Sequence, residues 1–360
     1  MRSEALKSYG WDDRFESAFV SVWKEGFEPG RVLEESRQRF RVYTEHGEIH
    51  AEISGKFRFM ACSREDYPAV GDWVVLRPLP GESRAIIEAV LPRKSQFVRK
   101  AAGKPTEAQV VGANMDWVFV MMSLNQDFNA RRLERYMVLA WESGASPVVI
   151  LSKSDLCSGK EGAVATIREA TLDVPIHGIS ALTGDGLQEL EVYLAARKTI
   201  ALLGSSGVGK STLVNEFLGR PSFKTQPIRA DDDRGRHTTT TRQLCLLPGG
   251  ALVLDTPGLR ELQLWQCEGG VQIVFEEIDV WASRCRFRDC SHHQEPGCAV
   301  REALAAGTLD EKRFESYEKL KREMNYLVLK QDIRAGRLER QRWKKLSSLA
   351  KDPAVFKRKG

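Results

Sequence analysis

The sequence predicts a multidomain fold: a small N-terminal β barrel, a central α/β unit with a parallel sheet, and an α-rich C-terminal unit that binds a metal. The chain has 360 residues, more than one hydrophobic core usually organises. Its hydrophobic pattern changes twice, from short alternating segments to strands separated by helices, and then to clustered cysteines followed by basic helices. We therefore predict five parts: a leader (1–29), a barrel (30–97), an α/β unit (113–268), a metal-binding unit (269–333) and a basic tail (334–360).

The composition excludes several classes of protein. Hydrophobic residues make up 42% and charged residues 29%, which is typical of a globular chain and not of a disordered one. The longest apolar runs, such as 117–122, are too short to span a membrane, and the acidic first residues do not form a secretory signal. Seven cysteines, an odd number, favour a metal site over a disulfide framework. We therefore expect a cytoplasmic protein.

The positive charge is concentrated at one end of the chain. The net charge is +5, but residues 334–359 carry ten Lys or Arg against Glu339 and Asp352, a net charge of +8. Residues 1–333 therefore sum to −3. A basic tail indicates a polyanionic partner, although a solvated helix face has the same composition.

The leader and the barrel are predicted from two different periods. Phe15, Phe19, Val22 and Trp23 repeat at helical spacing. Short segments with period-two alternation follow and predict strands at Arg39–Tyr43, Glu48–Ile53, Lys56–Phe59, Asp72–Leu76 and Ala85–Leu91. Such a density of strands favours a small closed barrel of the OB-fold type, and other small barrels fit the same spacing.

From about residue 114, strand patterns alternate with helical ones, which indicates a parallel sheet covered on both faces. The predicted strands are Trp117–Met122, Pro147–Leu151, Val174–Ile179, Thr199–Leu203, Arg242–Leu247 and Ala251–Leu254. The clearest helical patterns between them are Arg131–Glu142 and Leu187–Ala196.

The fourth of these strands runs directly into a phosphate-binding loop. The loop consists of Gly204, Ser205, Ser206, Gly207, Val208, Gly209, Lys210, Ser211 and Thr212, and a helical pattern follows it. Its glycines let successive backbone N–H groups converge on phosphate oxygens, and the helix adds its positive end. Lys210 is predicted to reach the β- and γ-phosphates, and Ser211 to supply a hydroxyl to Mg²⁺.

Two weaker motifs indicate that the base is guanine. Ser152, Lys153, Ser154 and Asp155 follow a strand, and the Asp155 carboxylate can accept two hydrogen bonds from guanine. Backbone N–H groups of Ser180 and Ala181, after the next strand, can hold the guanine O6.

Two further motifs downstream of the phosphate loop are typical of nucleotide switches. From Gly235–Thr241, Thr239 or Thr240 would complete the Mg²⁺ shell. From 255–258, Asp255 would hold Mg²⁺ through water and the Gly258 N–H would sense the γ-phosphate. Because the base-reading motifs precede the phosphate loop, we predict a circularly permuted GTPase. The second switch motif then lies just before the predicted metal-binding unit. Its movement would therefore be transmitted directly to the chain after residue 270.

The cysteine cluster has the composition of a structural zinc site. A closed Cys₃His site would be formed by Cys285, Cys290, His292 and Cys298. His293 is an equally near alternative to His292. The competing interpretation is that these are buried free cysteines that bind no metal. Beyond the cluster, apolar residues recur at intervals of three or four residues and predict a helix that packs on the metal-binding unit.

The order of these motifs resembles one family, the RsgA/YjeQ-type circularly permuted, ribosome-associated GTPases of bacteria. The resemblance covers about residues 30–330 and rests on the phosphate loop, the segment 235–240, Asp255-Thr-Pro-Gly258 and the Cys/His spacing. It implies a GTP hydrolase that acts late in assembly of the small ribosomal subunit. The implied partners are that subunit and its rRNA, bound through barrel, zinc unit and tail by a monomer. Hydrolysis in the family is stimulated by the subunit and accompanies release.

At two positions the sequence departs from the usual GTPase pattern in a way that affects hydrolysis or nucleotide binding. Leu259 stands where many GTPases carry a water-orienting Gln, and the family suggests that His237 positions the attacking water instead; a solvent-facing His237 is the alternative. Ser152 stands where Asn is usual, which predicts a lower nucleotide affinity. An RNA-binding module or chaperone with a regulatory nucleotide site is the competing function, and a small-molecule kinase is disfavoured because no acceptor pocket can be argued.

Overall fold

A computed structural model describes residues 4–36, 39–100, 108–124, 129–157, 164, 167–168, 174–220, 242–255 and 267–328. Five strands of these ranges close into a barrel: β1 (Glu28–Ser36), β2 (Arg39–Thr44), β3 (Gly47–Ile53), β4 (Trp73–Pro78) and β5 (Arg84–Val90). Their pairing runs β1-β2-β3-β5-β4 and returns from β4 to β1. The predicted small barrel is confirmed, and its five-stranded closure is consistent with an OB-fold.

The predicted strand at Lys56–Phe59 is wrong, because these residues belong to helix α3 (Gly55–Met60) between β3 and β4. Ser54 caps this helix by accepting a hydrogen bond from the Phe57 N–H at 2.9 Å. Four alternating residues fit one helical turn as well as a strand, so the N-cap serine was the informative signal.

The leader is part of the folded body. It forms helices α1 (Glu4–Ser8) and α2 (Asp13–Val22), and strand β1 begins at Glu28, inside the predicted leader. Phe15 and Phe19 of α2 are buried in the core that contains Trp73, whereas Val22 and Trp23 are 42% and 54% exposed. The predicted helix is therefore confirmed through Val22 and ends before Trp23, and only its first two apolar residues, Phe15 and Phe19, face the core. The other unit boundaries stay predictions.

The α/β unit contains β8 (Trp117–Ser123), β9 (Ser146–Ser152), β10 (Ile176–Gly178), β11 (Thr199–Gly204), β12 (Arg242–Leu246) and β13 (Leu252–Asp255). The described helices of this unit include α4 (Ala130–Glu142) and α5 (Lys210–Leu218). The strand order is β10-β9-β8-β11-β13-β12. The first five strands are parallel, but β12 is antiparallel to β13 and also pairs with β1, so one sheet runs through both units.

Two expectations for this unit need correction. Leu187–Ala196 is not a long helix: only Leu187–Leu190 forms a 3₁₀ turn, after Gly186 at φ +73°. Leu190 and Tyr193 are still buried, which explains the apolar spacing. The prediction also missed a hairpin of β6 (Gln96–Lys100) and β7 (Ala108–Ala113) that joins the barrel to the sheet.

The C-terminal unit is helical, with α6 (Glu268–Val274), α7 (Glu276–Ala282), α8 (Ala299–Ala305) and α9 (311–328). It docks on α4, where the buried Arg313 and Glu134 side chains lie 2.8 Å apart, 11% and 6% exposed. Arg135 reinforces this contact with two hydrogen bonds to Glu323. The predicted tail at 334–360 lies outside the described residues. In the part of the chain that the structure describes, no helix is both long and apolar enough to cross a membrane.

Candidate nucleotide site and metal centre

The phosphate loop lies between the central strand β11 and helix α5. All six residues of β11 are buried between β8 and β13, and α5 begins at Lys210. Gly204 must be glycine, because a Cβ there would lie 2.5 Å from the Met121 carbonyl oxygen. Gly209 has φ +97° and is the N-cap of α5, so it turns the backbone into the helix. The loop thus has the strand–turn–helix context that the sequence predicts.

The Lys210 side chain lies over the loop backbone. Its Nζ donates to the Gly204 carbonyl oxygen at 2.6 Å and to the Ser205 carbonyl oxygen at 2.5 Å. An ammonium group at this place can exchange carbonyl oxygens for phosphate oxygens, because both are acceptors and phosphate is charged.

The base-reading motifs lie beside the phosphate loop. Ser152 ends β9, and its hydroxyl donates to the Val208 carbonyl oxygen at 2.6 Å. The next turn joins the neighbouring strand, since the Ser154 N–H donates to the Ile179 carbonyl oxygen at 3.0 Å. Asp155 follows in a 3₁₀ turn with its side chain exposed to solvent. Three segments that are far apart in sequence therefore meet at the carboxyl ends of three strands.

The second base-reading motif, residues 180–184, forms a turn that is held by hydrogen bonds within the motif. Ser180 is fully buried, and its Oγ accepts a hydrogen bond from the Thr183 N–H at 3.2 Å. The Gly184 N–H also donates to the Ser180 carbonyl oxygen at 2.9 Å. This tight turn starts directly after Ile179, the residue that contacts the Ser154 N–H.

Only part of the switch motifs can be placed. Asp255 is the last residue of β13, next to β11, opposite Gln243 of β12. It therefore ends at the same edge of the sheet as the phosphate loop. The remaining predicted switch residues, His237, Thr239, Thr240 and Gly258, lie outside the described residues.

The metal centre is a compact cluster in the C-terminal unit. One ligand atom each from Cys285, Cys290, His292 and Cys298 lies within 4.8 Å of the others. The Cys285 and Cys298 sulfurs are 3.9 Å apart, and His292 Nδ1 lies 3.6 Å and 3.5 Å from them. Tetrahedral zinc with Zn–S bonds of about 2.3 Å would place two sulfurs about 3.8 Å apart, so the donor set fits that ion.

The structure also separates the two candidate histidines. His293 turns away from the cluster, and its Nε2 lies 3.3 Å from Glu318 Oε1 on α9. His292 has φ +63°, an uncommon conformation for a residue other than glycine. The backbone therefore adopts a costly turn that directs His292 to the cysteines.

One buried network that the sequence analysis missed lies at the opposite end of β11. Arg31 of β1 is 2% exposed and donates to Thr199 Oγ1 at 2.9 Å, at the start of the phosphate-loop strand. Burial lowers the pKa of Arg31 to about 10. Its partner is 168 residues away in sequence, so no local pattern could have indicated the contact.

Known proteins match this chain over most of its length. The sequence model of the family described as RsgA GTPase matches residues 90–265. A protein of Opitutus terrae named small ribosomal subunit biogenesis GTPase RsgA is 47% identical over 350 residues, 95% of either chain. The chain belongs to the RsgA GTPase family. The crystal structure of YjeQ from Thermotoga maritima is similar with a TM-score of 0.60 and 30% identity, covering 82% of this chain and 97% of that one.

The permuted order is also found among solved structures. The structure titled YloQ, a circularly permuted GTPase, shares the fold with a TM-score of 0.60 at 23% identity, over 84% of this chain and 96% of that one. In this RsgA-family chain the base-reading strands β9 and β10 likewise precede the phosphate-loop strand β11. The predicted circular permutation is thus confirmed as a fold.

Proposed function

We propose that this chain is a GTP hydrolase that acts in biogenesis of the small ribosomal subunit. The observation that carries the proposal is the Ser152–Val208 hydrogen bond, which joins the guanine-reading motif to the phosphate loop in the permuted order of the family. The names of relatives such as the 47% identical protein of Opitutus terrae support the biological role.

Each predicted site residue has a role in this proposal. The backbone of 204–209 would hold the phosphates with Lys210. Ser211, with Thr239 or Thr240 and, through water, Asp255, would hold Mg²⁺, which supplies charge neutralisation at the transferred phosphate. Asp155 would select guanine, the Ala181 N–H would hold its O6, and the Gly258 N–H would sense the γ-phosphate. The Ser180 N–H donates to the Asp185 carbonyl oxygen at 3.0 Å, so its predicted bond to O6 would have to replace that contact. His237 would orient the attacking water.

The metal centre has a different task. Among the described residues, the donor cluster consists of the three cysteines and His292 and includes no carboxylate, as expected for a structural Zn²⁺ rather than a catalytic one. Zinc would fix the turns that connect α7 to α8 and so shape the surface of this unit. The barrel, the zinc unit and the basic tail would together bind the rRNA, in the cytoplasm and as a monomer.

The proposal is tested by steady-state GTP turnover with and without purified small ribosomal subunits. We expect the subunit to stimulate turnover, and Lys210→Ala to abolish the stimulated rate because the phosphates lose their cation. Lys24→Ala, at an exposed position after α2 and outside the units proposed to bind rRNA, is the matched control and should behave as wild type. Tight binding of RNA with no stimulated turnover would instead support an RNA-binding module with a regulatory nucleotide site.

A further inference from the structure

A loop at the start of the cysteine cluster combines positive charge with an exposed aromatic ring. This arginine loop (residues 284–289) carries three arginines and one acid, a net charge of +2: Arg284, Arg286, Arg288 and Asp289. Phe287 lies between the last two arginines. The three arginines are exposed, and the Phe287 side chain is 41% exposed. A basic and aromatic surface therefore stands out on a body whose residues 1–333 sum to −3.

The backbone of the arginine loop is held in place from two sides. The Arg284 N–H donates to the Trp281 carbonyl oxygen of α7 at 3.1 Å, and the Arg286 N–H donates to the Gly297 carbonyl oxygen at 3.1 Å. Two of the candidate zinc ligands, Cys285 and Cys290, lie within the loop and directly after it. A loop that is already ordered loses little conformational entropy when a partner binds to it.

Two guanidinium groups of the loop lie over aromatic rings. The Arg286 guanidinium carbon is 5.5 Å from the centre of the Phe287 ring, and that of Arg284 is 4.9 Å from the centre of the Trp281 ring. Each contact is within the range of a cation–π interaction. Aromatic rings and guanidinium planes are the groups on which proteins stack single-stranded bases. The exposed part of the Phe287 ring can therefore accept the face of a base.

The charges of the loop are not neutralised by neighbouring acids. In the described part of the chain, no carboxylate forms an ion pair with any of the three arginines. The Glu295 carboxylate, close by in sequence, is bound within its own turn, where it accepts from the Ser291 N–H at 2.9 Å and from the His293 and Gln294 N–H groups at 3.1 Å. The guanidinium groups can therefore donate to phosphate oxygens, for which their planar geometry is well suited.

We propose that the arginine loop binds an unpaired nucleotide of rRNA. The base stacks on the exposed part of the Phe287 ring, opposite Arg286, and the flanking phosphates accept hydrogen bonds from Arg284 and Arg288. In an RNA duplex the base faces are covered by neighbouring bases, so the loop distinguishes single-stranded RNA from duplex RNA. This inference rests on the proposed function, because it takes the zinc unit as a part of the chain that binds rRNA.

The test is fluorescence anisotropy of a short, labelled, unpaired oligoribonucleotide titrated with the full-length, zinc-loaded protein at several salt concentrations. Phe287→Ala should weaken binding by roughly five- to a hundredfold, the usual effect of losing one stacked base, and by the same factor at every salt concentration. Phe287→Tyr, which keeps an aromatic face, should bind as wild type. Arg288→Gln should instead lower the slope of log K against log salt by about 0.7, the contribution of one phosphate of a single strand.

Matched controls come from α9 of the same unit. Tyr326→Ala removes an aromatic side chain that is 56% exposed, and Lys312→Gln removes an exposed cation. Both variants should bind the oligonucleotide as wild type. A blunt RNA duplex of the same length is the second probe, and Phe287→Ala should leave its affinity unchanged. Zinc content by atomic absorption is measured on every variant, so that a loss of RNA binding with wild-type zinc reports the side chain itself.

The inference is overturned by wild-type affinity in Phe287→Ala, by an equal loss in Phe287→Tyr or Tyr326→Ala, or by an equal loss for the duplex. A lower salt slope in Arg288→Gln together with full affinity in Phe287→Ala would mean that the loop attracts any polyanion by charge, which also overturns it. Subunit-stimulated turnover is measured separately. RNA binding that depends on Phe287 without stimulated turnover would therefore contradict the proposed function and support this inference.

Discussion

Ser152 connects two parts of the nucleotide site through one hydrogen bond, the 2.6 Å contact with the Val208 carbonyl oxygen. An asparagine amide could make the same bond and still offer a second N–H donor and a separate carbonyl acceptor in the amide plane, whereas the shorter serine side chain has one O–H to donate. We predict that Ser152→Ala weakens binding of GTP and GDP equally, by about two- to tenfold, since a neutral hydrogen bond contributes about 0.5–1.5 kcal/mol. Equilibrium titration with fluorescent nucleotides measures this. Ser21→Ala, which removes a hydroxyl bonded only within α2, is the control; an equal loss there would argue against the role of Ser152.

The proposed contact of Asp155 is with the base and not with the phosphates. Its carboxylate is exposed at the end of β9, where it can accept both donors of the guanine edge. Asp155→Asn should weaken GTP binding by about tenfold or more and shift preference towards XTP, because charged hydrogen bonds contribute about 1.5–3 kcal/mol. Competition among GTP, ATP and XTP measures the preference. Asp185→Asn, in the neighbouring turn, should leave it unchanged; retained GTP preference in Asp155→Asn would remove this residue from the site.

Single residues were predictable where their motif is continuous in sequence. The phosphate loop and the four metal-binding residues lie within short segments, so spacing was enough to find them. The choice between His292 and His293 needed the backbone, because adjacent residues differ only in which way the turn directs them. Arg31 could not be predicted at all, since a lone arginine in a strand carries no signal for a buried partner in a distant unit.

At the scale of elements, the segment between α7 and α8 brings four candidate metal ligands close together. We predict that His292→Ala lowers the zinc content of the purified protein and its thermal stability, because structural zinc contributes directly to folding. His293→Ala should retain wild-type zinc, since its ring faces Glu318. Atomic absorption on both variants decides the matter. Loss of zinc in His293→Ala alone would reverse the assignment.

Three ion pairs join the described residues of helices α4 and α9, and two of them differ strongly in burial. Arg313–Glu134 is 11% and 6% exposed, whereas Arg131–Glu315 is 49% and 57% exposed. Removing one partner of a buried pair leaves an uncompensated charge, so Arg313→Gln should cost about 3–5 kcal/mol in unfolding free energy. Arg131→Gln should cost about 1 kcal/mol or less. Urea denaturation of both variants measures the contrast, and equal effects would mean that burial does not decide the strength of this junction.

Elements were predictable where their hydrophobic period was long. Helix α4 and strands β8, β9 and β11 follow the sequence patterns to within about one residue, because they lie in the buried centre of the sheet. The two incorrect predictions concern short segments of the chain. The segment Lys56–Phe59 has too few residues to show a period, and Leu187–Ala196 has helical spacing that its buried residues satisfy in turns.

At the scale of the whole molecule, the units are less separate than the sequence indicates. One sheet runs from β10 and β9 through β12 into the barrel, and one hydrophobic core includes residues of the leader, α4 and the C-terminal unit. A change of hydrophobic period marks where topology changes. It does not show where packing stops, because antiparallel pairing between β1 and β12 requires no special sequence.

The basic tail is the feature of the whole chain that bears on the proposed rRNA partner. Residues 334–359 carry a net charge of +8 against −3 in the rest, so a polyanion would be attracted chiefly to the tail. We predict that deleting residues 334–360 weakens association with small subunits and flattens its dependence on salt. Each lost phosphate contact should lower the slope of log K against log salt by about 0.7–0.9.

Sedimentation with subunits at several salt concentrations measures the slope, and nucleotide titration of the same truncated protein is the control. Because the phosphate loop and the base-reading motifs lie among residues 152–218, far from the tail in sequence, GDP affinity should stay at the wild-type value. A truncated protein that loses nucleotide affinity and subunit affinity to the same extent would place the tail within the fold. An unchanged slope would move the polyanion-binding charge from the tail to the barrel or the zinc unit.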